Sequence, residues 1–214
     1  MRLLNPRSPA FGILLLIIVY AVGIAGVLIP LHEDFMKLTP LNLLFSMVVL
    51  FAYSNWRNIW FMRLAAIVFL AGMGVEILGV QTDFPFGAYY YGDVLGPKVF
   101  GVPLLIGFNW FFLVYATVVI ARQFKVRNVF LTAALAALVM VGYDYLLEPV
   151  AVHYDFWTWE AGFIPLSNYI AWFVISFLFC LPAAKWLAGE KNQVALPLLS
   201  LQCVFFVIIN LWNI

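Results

Sequence analysis

Seven apolar runs, separated by short polar breaks, constrain this chain more than any other feature. They cover residues 11–29, 41–54, 60–80, 104–121, 129–147, 169–187 and 195–211. A helix needs about 20 apolar residues to cross about 30 Å of hydrocarbon. In lipid, a helix satisfies its own backbone hydrogen bonds. The second run is short, but Thr39 is placed to cap it and Pro40 suits a first helical position. Composition agrees: 66% of residues are apolar and 10% charged, against about 45–50% and about 25% in soluble domains. The expected architecture is all-α, a polytopic bundle of seven transmembrane helices forming a single domain over 1–214. A net charge of +1 leaves no basic footprint for nucleic acid.

The loops set the orientation. With seven spans, the N-terminus and loops 2–3, 4–5 and 6–7 share one side. That side holds Arg2, Arg7, Arg57, Arg63, Arg122, Lys125, Arg127, Lys185 and Lys191, nine of the 11 basic residues, and the other holds only Lys37 and Lys98. The positive-inside rule then places the N-terminus in the cytoplasm and the C-terminus outside, in a multi-pass protein of the cell membrane. An even number of spans would scramble this separation. Arg2 and Arg7 before the first run resemble a signal peptide, but the run exceeds an h-region of about 7–15 residues and reads as a retained helix. Cys180 and Cys203 fall inside spans and read as small core residues.

The acids separate the opposite way. Glu33, Asp34, Glu76, Asp83, Asp93, Asp144, Glu148, Asp155 and Glu160 lie on the outer side or in the outer halves of spans, and only Glu190 lies inside. Glu33, Asp34 and Glu190 read as solvated surface. Glu76 and Asp144 sit within apolar helices, where a carboxyl group is expensive and usually functional. Asp144 and Glu148 are four residues apart before Pro149, so they stack on one helical face. Two carboxylates sharing such a site cannot both ionise cheaply, and a carboxylic acid kept neutral is a ready general acid. The spacing equally suits a pair that only marks the water interface.

Two long outer loops hold most of the remaining polar and aromatic residues. Loop 3–4 carries Gly87, Gly92, Gly96 and Gly101 with Pro85, Pro97 and Pro103 around the run Tyr89–Tyr91. It is too broken for a helix, and its apolar flanks predict a packed lid. Loop 5–6 carries Trp157 and Trp159 among acids; ordinary interfacial belt residues would account for some of these aromatics and for Tyr90. A shift of 62 aligns Asp93 with Asp155, Pro103 with Pro165, Leu104 with Leu166, Trp110 with Trp172 and Phe111 with Phe173. This faint repeat predicts that spans four and six start alike, presenting Asn109 and Asn168 near the outer face.

The inventory excludes several chemistries. Two histidines, His32 and His153, are too few for a histidine-box di-iron site. No glycine fingerprint for flavin or nicotinamide is present. Span seven has no lysine to hold retinal. The Asp144–Glu148 pair imitates one magnesium-binding prenyltransferase motif without a second. What remains is acid–base chemistry with no cofactor and no metal, on a lipid bearing a protonatable group such as an alkene.

The segments GVEILGVQTDFPFGAYYYGDVLGPKVFGVPLLIGFNWF and GYDYLLEPVAVHYDFWTWEAGFIPLSNYIAWF closely resemble the membrane carotenoid 1,2-hydratases of carotenoid biosynthesis. That family includes gamma-carotene 1'-hydratases and bisanhydrobacterioruberin hydratases. The resemblance covers residues 63–173. It implies a catalytic set of Glu76, Asp144 and Glu148, and substrate contacts from Phe86, Tyr89, Tyr91, Asn109, Trp110, Trp157, Trp159, Asn168 and Trp172. It further implies a carotenoid substrate taken from membrane lipid, and protonation of a terminal alkene followed by water capture of the tertiary cation. Two other readings stay open. A heptahelical lycopene cyclase would begin with the same protonation, and a membrane carotenoid-binding protein would leave the pigment unchanged. Polar groups beside the acid favour hydration; a dry pocket favours cyclisation.

The charge asymmetry yields a topological test. A Lys125→Cys variant in intact cells is expected to resist a membrane-impermeant thiol reagent. Ready labelling there, with loop 5–6 protected, would reverse the orientation.

Overall fold

A computed structural model describes residues 5–29 and 35–212. The expectations for Arg2, His32, Glu33 and Asp34 lie outside the described residues. Seven helices follow the seven runs: α1 (Pro9–Leu28), α2 (Thr39–Ala52), α3 (Ile59–Thr82), α4 (Leu104–Gln123), α5 (Val129–His153), α6 (Leu166–Trp186) and α7 (Ala195–Trp212). All but α2 are long and apolar enough to cross a membrane. Helix α4 is the axle of the bundle: 72% of its spanning window is buried, against 28–39% for the other five. It packs against α3, α5, α6 and α7, while α1 leans on α7.

Local chemistry sets the helix starts. The side chains of Asn58 and Asn128 accept from the backbone N–H of Trp60 (3.0 Å) and Leu131 (2.9 Å), satisfying donors that a helix start leaves free. Pro103 and Pro165, both extended, precede α4 and α6, so the two helices that the repeat aligns do start alike. Thr39 departs from expectation. It caps nothing, because its hydroxyl donates to the Met36 carbonyl at 2.7 Å and Leu38 occupies the cap position in helical geometry. Helix α5 also runs past its expected end, carrying Pro149 in its interior. The proline removes one backbone donor and ends nothing, since the turn beyond it is held by Tyr154 N–H to the Val150 carbonyl and by Phe156 N–H to the Ala151 carbonyl.

The two long loops are not helical, and an all-α description misses them. Loop 3–4 contains β1 (Tyr89–Tyr91), β2 (Lys98–Val99) and β3 (Val102–Pro103), and loop 5–6 contains β4 (Trp157–Trp159). Strands β2 and β3 form a hairpin. Strand β1 pairs antiparallel with β4, Tyr89 opposite Trp159 and Tyr91 opposite Trp157. Alternate residues of a strand face opposite sides, so these four aromatics turn inward while Tyr90 stays exposed. The two loops thus close one end of the bundle as a single aromatic lid. Outside it, the Lys98 ammonium bonds the Tyr91 carbonyl (2.8 Å) and Asp93 (2.7 Å). This pairing holds the Asp93 carboxyl below its ordinary range, so the tether is intact at neutral pH and released in acid.

At the opposite end a polar clasp replaces the lid. Arg122 donates to the carbonyls of Val126, Arg127 and Ala184. Asn192 donates to the Leu50 carbonyl and to Tyr115. Glu190, expected as plain surface, belongs to this clasp: it accepts from the buried Tyr115 hydroxyl (2.8 Å) and the Asn55 backbone N–H (2.9 Å). The sequence separation of 75 and 135 residues hides both contacts from a linear reading. Cys180 and Cys203 are free thiols.

The lid joint depends on Gly92. A Cβ there would collide with the Asp155 backbone carbonyl, and the Gly92 N–H bonds the Phe156 carbonyl at 3.0 Å. Gly92→Ala is therefore expected to destabilise the protein by about 1–3 kcal/mol, the usual cost of overpacking, read as a lower melting temperature in detergent.

Candidate active site

Under the lid lies a space of about 90 Å³. All twelve site residues named from the sequence line it, although they come from four helices and both loops. Helix α3 presents Glu76 between Gly72 and Gly79. A Cβ on Gly72 would meet Trp110 at 2.9 Å, and one on Gly79 would meet Phe86 at 2.8 Å and the Tyr89 hydroxyl at 2.9 Å. These positions share one helical face, so the glycines make room for the aromatics that surround the acid. Gly87, at φ +122°, brings the Pro85-Phe86-Gly87 turn against Pro165.

Three carboxyl groups face this space almost fully buried: Asp144 is 0% exposed, Glu148 2% and Glu76 4%. Each has a different set of donors. Glu76 Oε2 accepts from the hydroxyls of Tyr89 (2.6 Å) and Tyr91 (2.8 Å), and its Oε1 from Trp110 Nε1 (2.8 Å). Burial, reinforced by neighbouring Glu76, pushes both phenols far above their ordinary range, so they remain donors. Glu148 Oε2 accepts from Nε1 of Trp157 (3.0 Å) and Trp159 (2.9 Å), and its Oε1 from Asn168 Nδ2 (3.2 Å). The second Asn168 N–H reaches Asp144 Oδ2 at 2.9 Å. Asp144 Oδ1 is buried with no protein partner. The Asp144–Glu148 pair thus shares one helical face and one bridging amide.

Aromatic rings wall the space. Trp110 and Trp172 stack at 4.4 Å between centroids, and Tyr89 packs on Trp159 at 5.2 Å and on Tyr91 at 5.6 Å. Trp157 and Trp159, which an interfacial belt would leave in the headgroup layer, are buried and bonded to an acid. Asp83, Asp93 and Asp155 are exposed and line no part of this space. Among the described residues no group of three His, Cys, Asp or Glu side chains is placed to hold a metal ion.

Sequence reasoning missed the contribution of α1, α2 and α7. Tyr20, Asn42, Tyr143, Gln202, Phe205 and Phe206 also line the space. Gln202 was detectable, as a lone amide within an apolar span. It is 2% exposed, and its Oε1, like Asn109 Oδ1, has no partner. Met36, Thr39, Asn42 and Phe205 also border a second, apolar cavity of about 340 Å³ between α1, α2 and α7, lined further by Ile18, Val22 and Phe45.

Comparison with known proteins places the chain. No solved structure matches it. A bisanhydrobacterioruberin hydratase from Haloarcula japonica is 32% identical over 114 residues, an overlap spanning 48% of this chain and 38% of that protein. A family profile described as carotenoid biosynthesis protein matches residues 38–214, taking in six of the seven helices and the whole lid. The chain belongs to the carotenoid biosynthesis protein family.

Proposed function

We propose that this protein is a carotenoid 1,2-hydratase, adding water across the terminal C1=C2 alkene of an acyclic polyene end group. In this reading the chain is one seven-helix transmembrane domain of the cell membrane with its N-terminus in the cytoplasm, and Glu76, Asp144 and Glu148 form its catalytic set. The observation that carries it is the pairing of a carboxyl cluster with unpartnered carbonyl oxygens in one aromatic space. Asn109 Oδ1 and Gln202 Oε1 are buried acceptors with nothing to accept from among the described residues. Such atoms are costly unless a donor arrives, and water is a donor. A cyclase has no use for it, because its cation must meet an internal alkene in a dry fold.

The chemistry follows. A carboxylic acid protonates C2, leaving a tertiary cation at C1. The rings of Tyr89, Tyr91, Trp157 and Trp159, with the Trp110–Trp172 stack, offer electron-rich faces to that charge. Cation–π contacts contribute about 2 kcal/mol or more when desolvated. Each of those four lid rings is pinned through its own N–H or O–H to Glu76 or Glu148, so the stabilising groups need no reorganisation during reaction. Phe86 packs edge-on to Tyr89 at 6.0 Å and supports the lid. Asn109 orients water for attack at C1. A space of about 90 Å³, below the roughly 300–1,000 Å³ of pockets that hold whole ligands, suits a chain end, and the apolar cavity beside α1, α2 and α7 takes the polyene that follows it.

Expressed in a lycopene-producing bacterium, the protein is expected to yield pigments heavier by one water per hydrated end. With 18O-labelled water the hydroxyl carries the label, and activity survives chelators and anaerobic conditions. Isomers of unchanged mass would show cyclisation, unchanged pigment would show binding alone, and label taken from molecular oxygen would sink the mechanism. Tyr89→Phe and Trp159→Phe keep a ring but each strip one donor from a glutamate. Loss of a buried hydrogen bond to a charged group costs about 1.5–3 kcal/mol, so each is expected to lower the melting temperature and slow turnover.

A further inference from the structure

The donor pattern around the three acids distinguishes their protonation states. They offer six carboxyl oxygens. Five accept hydrogen bonds from protein: both of Glu76, both of Glu148, and Oδ2 of Asp144. A tryptophan N–H is a donor only, and an asparagine amide nitrogen likewise. Glu148 is therefore met by three obligate donors, and Asn168 spends both amide hydrogens on Glu148 and Asp144. Glu76 is met by Trp110 and by two phenols. The sixth oxygen, Asp144 Oδ1, is buried and meets none among the described residues. Among the described residues no Lys, Arg or His lines the space. Three ionised carboxyls confined together without a cation are prohibitively costly, so a proton must stay in the cluster. It belongs where no donor opposes it.

We infer that Asp144 is the neutral acid of the site, carrying its proton on Oδ1, and that Glu76 and Glu148 are ionised groups that orient the aromatic donors. Given the hydration reading above, on which the catalytic role rests, Asp144 is the catalytic residue that gives up the proton. The Oδ1–H bond breaks as the alkene π pair forms the C2–H bond, and positive charge develops at C1. A lone pair of water forms the C1–O bond. The proton released from that oxygen returns to the Asp144 carboxylate. Alkene and water are consumed, alcohol is formed, and the acid is regenerated with no co-reactant. Glu76 and Glu148 are positioning residues: their negative charge faces the developing cation through the rings they hold.

Infrared difference spectroscopy of the full chain in detergent tests this directly, through the carbonyl stretch of a buried protonated carboxylic acid and its downshift in D2O. Wild-type protein is expected to show the band. Asp144→Asn removes it, Asp144→Glu moves it without abolishing it, and Glu76→Gln and Glu148→Gln leave it in place. Turnover of a lycopene-type polyene is expected to fall about 10²–10⁴-fold in Asp144→Asn, the usual worth of a general acid, and less in the two glutamate variants. In D2O the product gains one carbon-bound deuterium at C2. A band that survives Asp144→Asn, or vanishes in Glu148→Gln or Glu76→Gln, overturns the assignment, as does its absence from the wild type. A band lost only in Asp144→Asn by a protein that hydrates no polyene upholds the proton's location and overturns the hydratase reading. The two failures are thus told apart.

Discussion

Carboxyl groups inside an apolar bundle must find hydrogen-bond donors or keep their protons, and most of the site end of this protein follows from meeting that demand. Glu76 and Glu148 recruit two donors each from the lid and one each from a neighbouring helix. The lid donors are aromatic because a long, rigid side chain with a polar tip reaches an acid beneath the lid while covering the apolar surface around it. The strands exist for the same reason. Pairing β1 with β4 satisfies the lid backbone and turns Tyr89, Tyr91, Trp157 and Trp159 down together. The glycines of α3 then leave the depth these rings require.

The arrangement is two-fold in character. Helix α3 gives Glu76 to the aromatics of β1, and helix α5 gives Glu148 to the aromatics of β4; each strand then leads to a Pro-Leu helix start and a tryptophan of the central stack. The antiparallel β1–β4 pair is the joint between the halves. The halves differ where chemistry needs them to. Asp144 and Asn168 have no acid–amide counterpart bonded beside Glu76. An approximately symmetric cage of rings therefore encloses an asymmetric set of acids. Under the proposed hydration, this arrangement holds the tertiary cation within the rings while the proton is delivered from one side only.

Much of this was legible in the sequence. Hydropathy located the seven helices because each hydrocarbon-length run leaves an unmistakable trace, and the intramembrane acids stood out against it. The repeat was legible through Pro103 and Pro165, whose local geometry is fixed by the residue itself. The lid was harder. Three-residue strands such as Tyr89–Tyr91 and Trp157–Trp159 offer too few alternations to separate from an interfacial aromatic belt, and their pairing joins segments about 70 residues apart. Pro149 misled because a proline near the end of a run usually stops a helix, whereas here the bonds of Tyr154 and Phe156 carry the turn past it. Glu190 misled because its partners, Tyr115 and Asn55, are distant in sequence. Gln202 and Tyr20 joined the site from helices that carried no motif.

Under the proposed function, the two ends of the bundle give a mobile substrate a rigid site. The clasp of Arg122, Asn192, Tyr115 and Glu190 ties the far ends of α2, α4 and α6 and the loop before α5 with directional bonds. The lid locks the near ends of α3 to α6. Helices α1 and α2 are joined by the Tyr20–Ser46 bond at 3.1 Å, and the apolar cavity lies between them and α7. A long polyene needs a wall that yields to admit its chain, and a reacting cation needs groups that do not move. In the proposed hydratase, carrying the acids, donors and rings on α3 to α6 and their two lid loops, with the apolar cavity set apart between α1, α2 and α7, separates those requirements within one small bundle.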